Sequence, residues 1–171
     1  MLMAFWEVQR LTREINYLEK QAIETRTRLE HYQKYASVLG GSSIMTMNNI
    51  AGLSPELLPR ASMFAQFSNQ VSSMSAMQNL QTMKMTGMVP WTGNPMAQYQ
   101  IEMSAFAKFK EESMKALKQQ EIQILNEKEK EIQLEMNQIE QRIKMKRAML
   151  DSVKQLASEE ARDSAPKFGL G

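Results

Sequence analysis

The first 39 residues carry apolar positions at alternating intervals of four and three residues. The repeat runs through Ala4, Val8, Leu11, Ile15, Leu18, Ala22, Thr25, Leu29, Tyr32, Ala36 and Leu39, and only Thr25 departs from apolar. A spacing that averages 3.5 residues keeps one stripe of a helix facing a partner helix in a left-handed coiled coil. The pattern therefore predicts an N-terminal coiled-coil arm over residues 1–39, and Gly40-Gly41 is expected to end it.

The last third of the chain has a similar repeat. Its apolar positions are Ile122, Leu125, Ile132, Met136, Ile139, Ile143, Leu150, Val153 and Ala157, and Glu129 and Lys146 occupy the two remaining positions. Asn94-Pro95 resembles an N-cap followed by proline at the first helical position, and no Gly or Pro follows until Pro166. We expect a long helix over residues 95–162 and a flexible tail over residues 163–171.

The two seams are similar in length, so they can pair with each other. Antiparallel pairing within one chain would oppose Leu39 and Ile122, Leu29 and Ile132, Leu18 and Ile143, and Val8 and Val153. Tyr32 would then face Glu129, and Ile15 would face Lys146. Breaks rich in Gly and Pro bracket the middle and let the chain return. These features favour an all-α fold, an elongated antiparallel coiled-coil hairpin with a Met-rich helical tip. A parallel homodimer through the same seams is the alternative.

The middle segment, residues 40–94, is nearly uncharged. Over residues 40–100 the charged side chains are Glu56, Arg60 and Lys84, and the same stretch contains nine of the 16 methionines. Pro59 predicts that a helix begins at about Arg60 and spans residues 60–85. Its apolar stripe and the following loop supply the predicted partner interface: Phe64, Phe67, Val71, Met74, Met77, Leu80, Met83 and Trp91. Methionine fills irregular contacts well, which favours a protein-binding surface over a helix folded back on the arms.

The composition excludes several kinds of chemistry. The chain has no Cys and one His, His31, which we interpret as a surface imidazole. The acids Glu111, Glu112, Glu127, Glu129, Glu131 and Glu135 have no nearby histidine and are interpreted as a solvated face. The basic cluster Arg142, Lys144, Lys146 and Arg147 is interpreted as ordinary coiled-coil charge. No phosphate-binding loop is present, so we expect no enzyme activity, cofactor or metal.

The two ends of the chain and its net charge give expectations for the cellular compartment of the protein and for its binding partner. The apolar start is short and lacks a basic segment, so no Sec signal peptide is expected, and no 18-residue apolar run predicts a transmembrane helix. The protein is expected to be cytoplasmic, associated with a particle, or exported without cleavage. The net charge of +2 does not favour nucleic acid as a partner. Another protein, above all a second copy, is the expected partner.

Three functional hypotheses fit this layout. The first is a self-assembling structural subunit of a filament, tube or particle; the arrangement of segments resembles the filament proteins exported by type III systems and the coiled-coil tube proteins of small phages. The second is a soluble coiled-coil adaptor or export chaperone, similar in outline to small flagellar hairpin proteins. The third is a membrane-active helical hairpin, which is disfavoured because the helix near 60–85 lacks a Lys/Arg face.

Overall fold

Three α-helices are found in the part of the chain that the structure describes. The computed structural model describes residues 2–41 and 52–163, and its helices are α1 (Leu2–Gly40), α2 (Leu57–Met85) and α3 (Pro95–Asp163). Strands are absent from the described residues, so the predicted all-α class is confirmed. Met1 and residues 42–51 and 164–171 lie outside the described residues, and the last range includes most of the predicted tail.

The start of α3 is a capped helix end. The Asn94 side-chain oxygen accepts a hydrogen bond from the backbone N–H of Met96 at 3.0 Å, and its carbonyl accepts one from Gln98 at 2.9 Å. Pro95 fills the first helical position, where no N–H partner is needed. Asn94 therefore satisfies donors that the first turn would otherwise leave free.

Asn94→Ala should destabilise the protein by about 1 kcal/mol, because the alanine side chain cannot accept the Met96 bond. Urea unfolding followed by circular dichroism would measure the change. Asn79→Ala is the matched control, because Asn79 is exposed within α2. Equal stability of Asn94→Ala and Asn79→Ala would contradict the capping role.

α2 begins three residues before the predicted position. Its first residue is Leu57, so Pro59 lies inside the first turn. The N–H groups of a first turn have no intrahelical partner, so proline removes no hydrogen bond there. The preceding turn is closed by the N–H groups of Leu57 and Leu58, which both donate to the Ser54 carbonyl at 3.0 Å.

α2 ends in a Schellman motif. The Met88 N–H donates to the Met83 carbonyl at 3.0 Å, and the Gly87 N–H donates to the Lys84 carbonyl at 3.3 Å. Gly87 has a φ of 71°, a left-handed conformation that glycine adopts without a Cβ penalty. The helix therefore stops at a fixed point before the loop to α3.

The chain divides into two compact units, and the first contains residues 1–30 and 130–171. Its buried apolar residues are Leu11, Ile15, Leu29, Ile132, Ile139 and Ile143, and the seam positions Val8, Leu18, Leu150 and Val153 are half-buried. Three ion pairs join α1 to α3: Glu14–Lys146 at 2.6 Å, Glu19–Arg147 at 2.6 Å, and Arg28–Glu135. Exposed ion pairs contribute little because water screens them, so apolar burial is the main stabilising term.

The second unit contains residues His31–Glu129. Its core draws on all three helices and on the segment before α2: Tyr35, Leu39, Leu53, Leu57, Ala61 and Leu125, with Tyr32, Ala36, Phe64 and Ile122 packed around them. This cluster fixes the start of α2 against α1 and α3. None of the helices in the described ranges is both long enough and apolar enough to cross a membrane.

Candidate interaction surface

On the inner face of α2, four of the five buried residues are small, and the fifth is Leu57 at its start. Ala61, Ser72 and Ala76 are fully buried, and Ser68 is 2% exposed. The two serine hydroxyls donate to backbone carbonyls one turn earlier, Ser68 to Ala65 and Ser72 to Asn69. Their burial therefore leaves no unsatisfied hydroxyl. Small side chains at a helix contact allow a short interaxial distance, so this face packs closely.

The outer face of α2 carries large apolar side chains. We define the Met/Phe face by its five residues, whose exposed fractions run from 57% to 82%: Met63, Phe67, Met74, Met77 and Met85. At 100° per residue these positions fall within an arc of about 80°, and they extend along about 33 Å of the helix. Gln70 and Gln81, also exposed, lie on the same side. The face is therefore long, apolar and free of charged side chains.

This distribution reverses that of an ordinary amphipathic helix. A surface helix usually turns its large apolar residues toward the core and its polar residues toward water. α2 buries Leu57 at its start and keeps Phe64, Val71, Leu80 and Met83 half-buried, but its other buried residues are alanine and serine, and five of its large apolar residues are exposed. Contiguous apolar surface of this kind marks interaction sites on soluble proteins. The Met/Phe face is therefore the strongest candidate functional surface in the second unit.

The predicted interface residues divide into two groups. Phe67, Met74, Met77 and Trp91 are exposed, at 58%, 57%, 66% and 84%. Phe64, Val71, Leu80 and Met83 are half-buried. The predicted stripe thus straddles the boundary between the inner and outer faces, and two further methionines, Met63 and Met85, belong to the exposed side.

The loop between α2 and α3 and the first turns of α3 add further exposed apolar side chains. Met88, Trp91, Met96 and Tyr99 are 69%, 84%, 67% and 60% exposed. The Schellman motif holds one end of this loop and the Asn94 cap holds the other. Large apolar residues are therefore displayed on a backbone with defined ends rather than on a free segment.

A buried polar cluster holds the start of α2 against the other two helices. The Arg60 guanidinium donates to both oxygens of Glu121, at 2.6 and 3.1 Å, and the Tyr35 hydroxyl lies 3.3 Å from the same carboxylate. The Glu121 side chain is only 10% exposed. Burial, reinforced by the nearby Glu121 charge, raises the pKa of Tyr35 well above its ordinary value, and the Glu121 hydrogen bond raises the pKa of Arg60. Tyr35 therefore stays a neutral donor beside a fixed ion pair.

A second ion pair lies near the end of α2. The Lys84 ammonium contacts the Glu102 carboxylate at 2.5 Å. Arg60, near the start of α2, meets Glu121, which comes later in α3 than Glu102. Within the second unit, α2 and the facing part of α3 therefore run in opposite directions. With contacts at both ends, α2 has a fixed rotation about its axis, and that rotation points the Met/Phe face to solvent.

The Lys84–Glu102 contact predicts a measurable pH dependence. The Lys84 hydrogen bond, helped by the Gln98 amide, lowers the pKa of Glu102 below 4.5. Because the folded-state pKa is depressed, the stabilisation is present above about pH 4.5 and is lost as pH falls through the folded-state value. Lys84→Met should move the pKa of Glu102 upward in a carboxyl NMR titration. Lys115→Met, which removes the partner of Glu111, should leave the pKa of Glu102 unchanged; an unchanged value in Lys84→Met would contradict the pairing.

The other residues weighed from sequence lie in ordinary surface contacts. His31 and Glu129 are half-buried, and Lys146 and Arg147 pair with Glu14 and Glu19 of α1. The tyrosine hydroxyl that reaches a glutamate is that of Tyr35, at Glu121, whereas the seam register placed Tyr32 opposite Glu129. Among the residues with described positions, no group of three His, Asp or Glu side chains is arranged to hold a metal ion.

Sequence reasoning missed two features of this surface. The Arg60–Glu121–Tyr35 cluster lies outside the seams, and its one sequence signal is Arg60, an isolated charge in a nearly uncharged segment. The inner face was also missed, although Ala61, Ser68, Ser72 and Ala76 recur at helical spacing. Both features are needed to know which side of α2 faces water.

Comparison with known proteins adds no relative. No protein family, no curated protein and no solved structure matches this chain.

Proposed function

We propose that this protein is a structural subunit that self-assembles into a filament, tube or particle, with the Met/Phe face of α2 meeting other copies of the chain. The observation that carries the proposal is the reversed packing of α2, with small residues buried and Met63, Phe67, Met74, Met77 and Met85 exposed. Such packing leaves a large apolar area in water unless another surface covers it, and burying that area supplies the free energy of association.

The chemistry of the face favours a second copy as its partner. Interfaces between different proteins often use complementary charges to select the partner. The Met/Phe face offers no charge for such selection, whereas two identical uncharged faces can pack without repulsion. Methionine side chains adapt to one another because they are unbranched and polarizable. A homotypic contact therefore fits this surface better than an acidic or a basic partner.

We further propose that α1 and α3 pair antiparallel within one chain and carry the surface as the arms of a hairpin. The ion pairs of the first unit support this arrangement. Glu14 and Glu19 of α1 pair with Lys146 and Arg147 of α3, whereas Arg28, later in α1, pairs with Glu135, earlier in α3. Residue numbers that rise along one helix while they fall along the other are the pattern of antiparallel neighbours. The buried seam positions supply the apolar contact for this pairing.

Sedimentation velocity and negative-stain electron microscopy over a concentration series test the proposal. We expect species that grow with concentration and a regular particle in the micrographs. A single small species at every concentration would contradict self-assembly and favour the soluble adaptor. Liposome flotation of the same sample tests the membrane-active alternative, and we expect the protein to remain in the unbound fraction.

A further inference from the structure

We propose that the methionines of the Met/Phe face are a sulfoxidation site, through which hydrogen peroxide or a related peroxide switches this surface from binding to non-binding. The inference rests on the proposed function, because it assigns a chemical control to the same surface.

Exposure distinguishes four methionines of the Met/Phe face from three half-buried ones, and five further methionines outside the face are also exposed, at 47% to 69%: Met88, Met96, Met103, Met145 and Met149. Met63, Met74, Met77 and Met85 are 69%, 57%, 66% and 82% exposed on the Met/Phe face. Met83, Met114 and Met136 are half-buried. Oxidation by peroxide follows access to the sulfur, so the first group is expected to react first. The face thus places four reactive thioethers along one side of one helix, and the exposed methionines outside the face are expected to react at similar rates.

The chain directs peroxide to these thioethers because it contains no cysteine, which is the usual competitor. The sulfur lone pair attacks one oxygen of the peroxide, forming the S–O bond as the O–O bond breaks. The departing hydroxide takes up the remaining proton and leaves as water. Sulfur loses two electrons and the peroxide gains them, so the products are methionine sulfoxide and water.

Methionine sulfoxide is polar, whereas the Met/Phe face depends on apolar side chains for association. A sulfoxide is a polar acceptor, and burying it without a donor carries a desolvation penalty. The Met/Phe face offers few donors, since its other exposed members are Phe67 and side-chain amides such as Gln70 and Gln81. Several sulfoxides on one face therefore oppose association, while the inner face of α2 keeps its packing. Methionine sulfoxide reductases reverse the change, so it can operate as a switch.

The first arm of the test maps the modification. The full-length protein is treated with hydrogen peroxide below its assembly concentration, and peptide mass spectrometry follows each methionine. We expect the four methionines of the Met/Phe face to oxidise at least about threefold faster than Met114 and Met136. Equal rates for the two groups would overturn the assignment of the site.

The second arm compares assembly before and after peroxide. The control variant is Met63→Leu/Met74→Leu/Met77→Leu/Met85→Leu, because leucine keeps an apolar side chain of similar volume that cannot be oxidised. Each protein is compared with its own untreated sample; after peroxide the wild type should lose assembly and the leucine variant should keep the level of its untreated sample. An oxidised wild type that still assembles, or a leucine variant that fails equally, would overturn the switch. Failure of the untreated wild type to assemble would instead overturn the proposed function, and the switch with it.

Discussion

Met74→Glu/Met77→Glu is expected to abolish self-assembly while the three helices remain folded. Both side chains are exposed, at 57% and 66%, so the carboxylates stay hydrated in the free chain and add little folding cost. In a homotypic interface the same carboxylates would be desolvated and would face their own copies. A combined penalty of about 4 kcal/mol corresponds to a loss of association of about a thousandfold. Sedimentation velocity measures this loss directly.

The matched control is Met145→Glu. Met145 is 59% exposed, which is close to Met74, but it lies in the first unit and outside the Met/Phe face. It introduces one of the two added carboxylates at a methionine of similar exposure, so it should assemble like the wild type. Circular dichroism confirms that both variants keep their helices. Equal assembly of the double variant and the control would contradict the role of the Met/Phe face.

Arg60→Met should destabilise the protein by about 3 kcal/mol. The substitution leaves the Glu121 carboxylate, with a side chain 10% exposed, inside the second unit without the guanidinium that donates to both of its oxygens. Removing one member of a buried ion pair costs more than the pair contributes, because the remaining charge is not solvated. Urea unfolding below the assembly concentration gives the change in the free energy of unfolding.

Two further variants test whether the loss of stability arises from the unpaired Glu121 carboxylate. Arg60→Met/Glu121→Met removes both charges and should recover much of the lost stability, since apolar residues of similar volume can replace a buried pair. Lys115→Met breaks an exposed pair, with a Lys115 side chain 69% exposed, and should have little effect. If Arg60→Met lowered the free energy of unfolding as little as Lys115→Met, the Arg60–Glu121–Tyr35 cluster would not hold α2.

The all-helical class was predictable because the heptad signal is strong and local. The apolar positions of α1 and of the second half of α3 alternate by three and four, and each of those positions with a described side chain is buried or half-buried. The start of α3 was also readable, since Asn94-Pro95 is a local cap signal. The start of α2 was harder to predict. Proline can occupy either the residue before a helix or the first turn of the helix, and the sequence around Pro59 does not distinguish these two positions.

The orientation of α2 was not predictable from its hydrophobicity. Hydrophobicity assigns Phe67, Met74 and Met77 to the core because they are large and apolar. The structure assigns that place to Ala61, Ser72 and similar small residues, since α2 is held at both ends by contacts with α3. The orientation of α2 depends on contacts with Glu121 and Glu102, which are distant in sequence from α2, so no local sequence pattern predicts it.

Cross-linking of lysines in a mixture of unlabelled and ¹⁵N-labelled protein, under assembling conditions, tests the account most directly. Lys20 and Lys144 are exposed on α1 and α3, and Lys84 is the one lysine in residues 40–100. The account predicts Lys20–Lys144 links within chains of one isotope, together with mixed-isotope links from Lys84. Mixed-isotope Lys20–Lys144 links, or Lys84 links confined to single chains, would contradict it.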